Sequence, residues 1–459
     1  MSEMLKEKCG VFGCFNIDNS SLVNYYGLHA LQHRGQEGCG ILGYDEKNKF
    51  ILKKGLGLVS EKFRINDFKN WNTINSIGHV LYSTTGGSVD CNVQPFFFNL
   101  SKDSFGLAHN GNLTNAHIIK SKFEEEGSIF QATSDSEILA HLITKSKEET
   151  RINKIKNSLN VINGAFAFLL LFEDEMYAIR DRNGLRPLSI AKLNNGYVVS
   201  SETYAFDVTG AEFIRDVNPG EIIKITKNGL ESYYFSKNNF NTVCSMEYIY
   251  FSHPSSTIND INVHNFRVKS GELLAEQENI YLGDVVIGVP DSSTSAALGY
   301  AKKSNLPFDI GLIKNKYSGR TFIQPTTELR EIGVRNKLSV IKDVINNKRV
   351  ILIDDSIVRG TTSKYIVKLL KDNGAKEVHL RVASPPIKYP SYYGIDISTY
   401  KELLAANMSL AEMNSYIGSD SLSFLTLDNL KKLFKPNQGC FDIFTGVYPV
   451  DIYDLNKGV

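Results

Sequence analysis

The sequence predicts two domains of different construction, a layered α+β half followed by an α/β half built on a parallel sheet. Three observations point there. Short apolar runs broken by turn dipeptides fill the chain from Cys9 to Lys237, the texture of antiparallel sheet. After Asp284 the rhythm becomes strand, helix, strand with short connections, which is the βαβ unit of parallel sheets. The length, 459 residues, leaves room for two or three hydrophobic cores at roughly 150 residues each.

In the first half, "GAFAFLLLFEDEMYAIRDRNGLRPLSIAKLNNGYVVSSE" strings β-rich runs together, and Asn183-Gly184 and Asn195-Gly196 are dipeptides that predict hairpins. "LVNYYGLHALQHRG" and "SDSEILAHLITKSKEE" carry apolar residues at three- and four-residue spacing and predict helices. In the second half "DVVIGVP", "FDIGLIK", "RVILID" and "EVHLRVAS" read as strands, with "STSAALGYAKKSN" and "TSKYIVKLLKDNG" as the helices between them. The boundary falls near residues 235 to 250, giving domains at 9–237 and 245–459.

Composition narrows the function classes. Lys+Arg 51 against Asp+Glu 50 leaves a net charge of +1, so no basic excess invites nucleic acid. No apolar run is long enough for a membrane span, and "MSEMLKEK" is too polar for a signal peptide, so the expected compartment is the cytoplasm. Six scattered cysteines without a CxxC fit reduced thiols better than a disulfide framework or a zinc site.

"RVILIDDSIVRGTTS" carries the clearest chemistry. In open α/β sheets ligands bind beyond the carboxyl ends of the strands, which is where Asp354 and Asp355 stand. Two ionised carboxylates there suit a hydrated Mg²⁺ or a pair of sugar hydroxyls. The following Arg359, Gly360, Thr361, Thr362 and Ser363 lead into a helix, so hydroxyls, backbone N–H groups and a helix N-terminus converge as a phosphate nest. Acids for a ribose beside a nest for its phosphate describe a ribose 5-phosphate binder; the bland alternative is a strand end followed by an ordinary cap at Ser356 or Thr361. "VPDSST", with Ser293, repeats the strand-to-helix geometry, and "KNKYSGRTFIQP", with Lys314, Lys316, Tyr317 and Arg320, suits a cationic lid over an anionic site.

In the first half, Cys9 opens "CGVFG" and is followed by "LHALQHRGQEG", "AHNGNLTN" and "SDSE". Asn110-Gly111 offers an amide donor and an approachable backbone N–H, the parts of an oxyanion hole, while Asp135 can grip an ammonium group. With a thiol, these are the requirements for hydrolysing an amino-acid side-chain amide.

The order of these first-half motifs resembles the class II glutamine amidotransferases, and "DDSIVRGTTS" resembles the signature of phosphoribosyltransferases that use phosphoribosyl pyrophosphate (PRPP). Together, and with "NGLRPLSI", "SMEYIYF" and "FTGVYPVDIY", the resemblance is to the amidophosphoribosyltransferase family of purine synthesis and covers nearly the whole chain. It implies a four-layer αββα Ntn-hydrolase domain followed by a type I phosphoribosyltransferase domain. It implies that residues 1–8 are a propeptide, Cys9 the nucleophile, Asn110 and Gly111 the oxyanion hole, and Asp135 the binder of the glutamine amine. For PRPP it implies Asp354, Asp355, the loop from Arg359 to Ser363, Lys316, Tyr317 and Arg320, with Ser293, Asp354 and Asp355 at one Mg²⁺ per subunit. Purine nucleotide inhibitors and a homo-oligomer, dimer or tetramer, are implied partners.

Three departures qualify the resemblance. Of four positions that hold an iron-sulfur cluster in some members, Cys244 and Cys440 are present but Ser391 and Ile443 fill the others, so no cluster is expected. Where such glutaminases read His-Val-Arg-Tyr, this chain has "HVLYSTTGG", with Leu81 in place of the arginine that pairs with the glutamine α-carboxylate. An unpaired carboxylate costs about 2 to 5 kcal/mol of binding, unless another guanidinium, with Arg34 the candidate, takes over. His253 stands where similar proteins usually carry arginine. The alternatives are therefore an ammonia-dependent enzyme with an impaired glutaminase, or a non-enzymatic PRPP-binding regulator. Regulators of that kind carry a basic DNA-binding module, and neither the charge balance nor the first half offers one.

Overall fold

The computed structural model describes residues 9–45, 47, 49–82, 89–236, 241–278, 280–315, 338–395 and 399–453. The proposed propeptide and the lid residues Lys316, Tyr317 and Arg320 lie outside them. The first domain contains β1 (Gly10–Phe15), β2 (Gly38–Asp45), β3 (Phe50–Leu56), β4 (Thr73–Leu81), β5 (Phe96–Phe98), β6 (Phe105–Leu113), β7 (Gly164–Leu171), β8 (Met176–Arg180), β9 (Ser189–Leu193), β10 (Gly196–Ser200), β11 (Glu212–Asp216), β12 (Glu221–Thr226) and β13 (Gly229–Tyr234). They form two antiparallel sheets, ordered β11-β9-β10-β1-β4-β2-β3 and β13-β12-β8-β7-β6-β5.

The run "GAFAFLLL" explains the layering. Side chains alternate across a strand, so Ala167, Leu169 and Leu171 of β7 face the other sheet, meeting Val11, Leu42 and Ile77. Phe166, Phe168 and Leu170 point the other way, into helices Glu137–Lys145 and Arg151–Val161. Helix Ser20–Ala30 covers the far face of the first sheet, where Leu28 packs with Phe12 and Val80. The result is the expected αββα stack.

The Asn195-Gly196 turn joins β9 to β10, with Gly196 opposite Leu193. Asn183-Gly184 does not make a hairpin: it carries the chain from β8 in one sheet to β9 in the other. Its turn is organised by Asp181, whose carboxylate accepts the N–H groups of Asn183, Leu185 and Arg186 at 3.0 Å each. The dipeptide marks a turn, and its own conformation does not dictate which strands are joined.

In the second domain Val285–Gly288, Arg349–Asp354, Glu377–Val382 and Ser421–Phe424 pair parallel in that order. Helices Val263–Glu276 and Thr294–Ser304 pack on one face against Val286, Ile351 and Ile353. Thr361–Asp372 and Leu410–Ile417 pack on the other against Ile287, Leu352 and Leu380. "FDIGLIK" departs from expectation: Phe308 makes only an isolated bridge to Val286, and Leu312–Lys314 instead pairs antiparallel with Leu338–Val340 outside the main sheet. Asn241–Cys244 already runs parallel to Gln438–Cys440, with Cys244 opposite Cys440, so chain four residues before 245 pairs with the second domain's C-terminal part. Ile443 is buried in the core cluster, and Ser391 is buried too. Among the described residues no helix is long and apolar enough to cross a membrane.

Leu169 is fully buried between the two sheets. Leu169→Ala should lower stability by about 2 to 5 kcal/mol through lost burial and the cavity left behind. Denaturant unfolding followed by a first-domain probe measures it, and a loss under about 1 kcal/mol would contradict the close packing described.

Candidate active site

The chain places Cys9 immediately before β1 and next to the end of β4. The thiol donates to the Tyr82 carbonyl at 3.3 Å, and the Tyr82 N–H donates to the sulfur at 3.4 Å. Burial raises the thiol pKa to about 11, against the pull of the Tyr82 backbone and of the Arg186 charge. Asn110 and Gly111 lie in β6 of the other sheet. The Asn110 amide donates to Ser201 Oγ at 3.4 Å, and the same hydroxyl accepts the Val11 N–H at 3.0 Å, so one serine joins the two strands. Asn110 Oδ1 is buried with no hydrogen-bond partner among the described residues. Gly111 is required by close approach: a Cβ there would lie 2.0 Å from the Ala165 carbonyl oxygen.

Asp135 accepts the Leu113 N–H at 2.7 Å, at the end of the same β6 strand, and burial lifts its pKa to about 6. His109 lies 3.8 Å from this carboxylate and 2.8 Å from Ser136 Oγ; burial holds its pKa down at about 3, so the ring is neutral. Cys9, Asn110, Gly111 and Asp135 are thus gathered at one end of the sandwich.

Arg34 does something else. It is 1 % exposed and donates to Glu202 at 2.6 Å, to both oxygens of Glu247 at 2.9 and 3.0 Å, and through Nε to the Cys9 carbonyl at 3.2 Å. Burial works against its charge, but Glu247 and Glu202 outweigh that and hold it firmly cationic. With four of its N–H donors committed, Arg34 is not placed as a free fork for a substrate carboxylate, which corrects the expectation that it substitutes for an arginine at 81. Leu81 itself is buried at the end of β4, one residue before the backbone that brackets the thiol.

Glu247 belongs to the second domain, so this ion pair crosses the junction. Arg186 adds a second cation, donating to Glu247 at 3.4 Å and also to the Tyr393 carbonyl. Glu202 accepts four donors: His33 and Arg34 on one oxygen, the His253 N–H and Ser256 hydroxyl on the other. His253 stacks on Tyr204 with centroids 3.8 Å apart. Glu202, Glu247 and Arg186 were not singled out by sequence reasoning. Arg186 and Glu247 sit inside the segments "NGLRPLSI" and "SMEYIYF", but nothing in a linear chain marks a charge that will be buried.

Across this junction opens a cavity of about 470 Å³. Its walls include Asp354, Asp355, Arg359, Gly360, Thr362 and Ser363 from the second domain, and His33 and Gln36 from the first. Ser293 Oγ lies 3.4 Å from Asp354 Oδ1 and from Asp355 Oδ2, and Ser363 Oγ donates to Asp354 Oδ2 at 3.3 Å. Burial raises both carboxyl pKa values, and the neighbouring Asp355 charge adds to the shift at Asp354; Arg267, 4 % exposed, opposes the shift at Asp355. Helix Thr361–Asp372 starts at Gly360 (φ 77°) with no side-chain cap, so neither Ser356 nor Thr361 plays that part. A Cβ at Gly360 would meet Leu404 at 2.6 Å, so the tight turn demands glycine. Arg359 pairs with Glu402 at 2.9 Å, and Lys314 lines the cavity mouth. Among the described residues no three His, Cys, Asp or Glu side chains group as a metal site, so any cation here would share oxygen ligands with hydroxyls and substrate.

Breaking the buried charge set by Glu247→Gln leaves Arg34 and Arg186 with one carboxylate between them. Stability should fall by about 3 to 5 kcal/mol, read from denaturant unfolding of the purified chain. A change below about 1 kcal/mol would show that the junction does not depend on this pair.

Family models for a glutamine amidotransferase domain and a phosphoribosyl transferase domain match residues 84–208 and 267–393. The amidophosphoribosyltransferase of Bacillus subtilis (strain 168) is 51% identical over 98% of this chain and 95% of its own length. That of Staphylococcus epidermidis is 48% identical over 99% and 93%. A solved structure described as the B. subtilis glutamine PRPP amidotransferase complexed with ADP and GMP superposes with a TM-score of 0.92 at 49% identity, covering 98% of this chain and 99% of that one. A second, described as the allosteric regulatory enzyme of purine biosynthesis, also gives 0.92, at 50% identity and 97% coverage of each chain. About half of the residues are identical across nearly the full length, and both sites stand on the matching two-domain fold; the chain therefore belongs to the amidophosphoribosyltransferase family.

Proposed function

We propose that this protein moves ammonia from glutamine onto carbon 1 of PRPP, releasing glutamate and pyrophosphate and forming 5-phosphoribosylamine for purine synthesis. One observation carries the proposal: the cavity holding the Asp354–Asp355 pair is walled by His33 of the first domain, whose neighbour Arg34 is bonded to the Cys9 carbonyl. The nitrogen-releasing and nitrogen-accepting sites therefore adjoin.

In this reading, removal of Met1 to Lys8 frees the α-amine of Cys9 to take the thiol proton. The thiolate attacks the glutamine carboxamide carbon, Asn110 and the Gly111 N–H stabilise the oxyanion, and Asp135 holds the substrate ammonium. Ammonia leaves as the thioester forms, and water later releases glutamate. At the second site the Gly360–Ser363 turn and uncapped helix start take the 5-phosphate. Asp354 and Asp355 hold the ribose hydroxyls, and Lys316, Tyr317 and Arg320 are the residues proposed to bind the pyrophosphate. The two carboxylates and Ser293 form a hard-oxygen set suited to one Mg²⁺ per subunit; burial raises both carboxyl pKa values, and at Asp354 the Asp355 charge adds to the shift. Bound there, Mg²⁺ would neutralise charge on the departing pyrophosphate. Purine nucleotides as inhibitors, a homodimer or tetramer, and a cytoplasmic setting complete the proposal.

Two substitutions separate the half-reactions. Cys9→Ala should abolish glutamine-dependent pyrophosphate release and retain the ammonia-dependent reaction, while Asp355→Asn should depress both by about 100-fold or more. If Cys9→Ala spares the glutamine reaction, the nucleophile is misassigned.

A second reading is favoured by Leu81. Its side chain is apolar and buried beside the nucleophile, and Arg34 is committed to Glu202 and Glu247. Without a guanidinium for the α-carboxylate, glutamine should bind weakly and free ammonia serve as the better donor. Leu81→Arg should then lower the glutamine KM by about 30-fold or more and leave the ammonia KM unchanged. A glutamine KM that does not move removes this reading.

A further inference from the structure

The end of β6 is held by more than its own domain. Asn112 donates its side-chain N–H to the Tyr392 carbonyl at 2.8 Å, and the segment after Tyr392 lies against Gly111 of β6. Gly394 (φ 90°) approaches so closely that a Cβ would stand 3.3 Å from both the carbonyl carbon and oxygen of Gly111 and 2.4 Å from Arg186 Nη2. Arg186 donates to the Tyr393 carbonyl and to Glu247, fixing the same segment from below. Tyr393 is 1 % exposed, and its hydroxyl both donates to the Val450 carbonyl at 2.9 Å and accepts the Val450 N–H at 3.0 Å. One residue further on, the Asp451 carbonyl accepts the Thr114 hydroxyl at 2.9 Å.

We infer that Tyr392, Tyr393 and Gly394 form a positioning clasp, through which the second domain sets the placement of Asn110 and Gly111 in the first. This rests on the reading of Asn110 and Gly111 as the oxyanion hole. Donors of that kind act only when aimed at the place where charge develops, and a displacement of about 1 Å costs on the order of 100-fold in rate. Gly111 has no slack of its own, since Ala165 closes its other side. Tyr392, Tyr393 and Gly394 do not line the Asp354–Asp355 cavity, and in this proposal they act through the backbone of β6.

The test uses the full-length, processed protein. Gly394→Ala should reduce kcat for glutamine hydrolysis by about 10- to 100-fold with little change in KM, leaving ammonia-dependent pyrophosphate release within about two-fold of the unmutated protein. Alkylation of Cys9 by a diazoketone analogue of glutamine, followed by mass, should slow in parallel. Asn112→Ala, at a partly exposed position, is the milder variant and should give a loss of about 3- to 10-fold in the same kcat. It decides the matter if Gly394→Ala does not fold. Unchanged glutamine hydrolysis in a folded variant, or an equal fall in both activities, overturns the clasp. An unmutated protein that neither hydrolyses glutamine nor accepts the analogue at Cys9 removes instead the glutaminase reading, and the clasp with it.

Discussion

Four buried charges at the domain junction hold the arrangement together. Arg34 and Arg186 come from the first domain with Glu202, and Glu247 from the second; none is more than 1 % exposed. Burying an ion costs several kcal/mol, which opposite charges and hydrogen bonds must offset. Two cations face two anions, and Glu202 receives four donors. Sliding one domain over the other would separate Arg34 from Glu247 and leave charges unpaired in an apolar interior. Keeping these charges paired thus ties Arg34 and Arg186 of the first domain to Glu247 of the second.

That placement brings two difficult groups of chemistry next to each other. Burial works against ionisation at both: it raises Cys9 to about 11 and Asp135 to about 6, and it raises the Asp354–Asp355 pair. The groups that oppose burial differ. Around Cys9 they are the Tyr82 backbone and the charges of Arg186 and Arg34. Around the acid pair they are the Asp355 N–H and the Ser363 and Ser293 hydroxyls at Asp354, and Ser292, Ser356, Arg267 and Ser293 at Asp355. Arg34 serves both regions, touching the Cys9 carbonyl while its neighbour His33 faces the cavity.

The parts legible in the chain were those whose physics is local. "DDSIVRGTTS" is legible as a strand end leading into a helix because strand end, turn glycine and helix start fall within a few residues, and the structure gathers Asp354, Gly360 and Ser363 around one cavity. The alternating run in β7 likewise announces a strand buried on both faces. Asn183-Gly184 was legible as a turn but not as a change of sheet, because the choice is made by Asp181 and by where β9 finds partners. "FDIGLIK" has a strand's composition, yet Leu312–Lys314 pairs with a segment distant in sequence. Arg34 shows the limit most clearly: its motif drew attention to the right neighbourhood, but its duty is set by Glu202 and Glu247, residues 168 and 213 positions away.

The proposed function requires nitrogen to pass from the Cys9 site to the Asp354–Asp355 cavity, and nitrogen tracing tests that directly. Glutamine carrying ¹⁵N in its amide is supplied with excess unlabelled ammonium, and trapped phosphoribosylamine is weighed by mass spectrometry during early turnover. Nitrogen handed across the junction keeps the product's ¹⁵N content well above that of the ammonia pool in solution. A product whose label matches that pool at all times would contradict adjoining sites, because it would mean that ammonia leaves the protein before reaching PRPP.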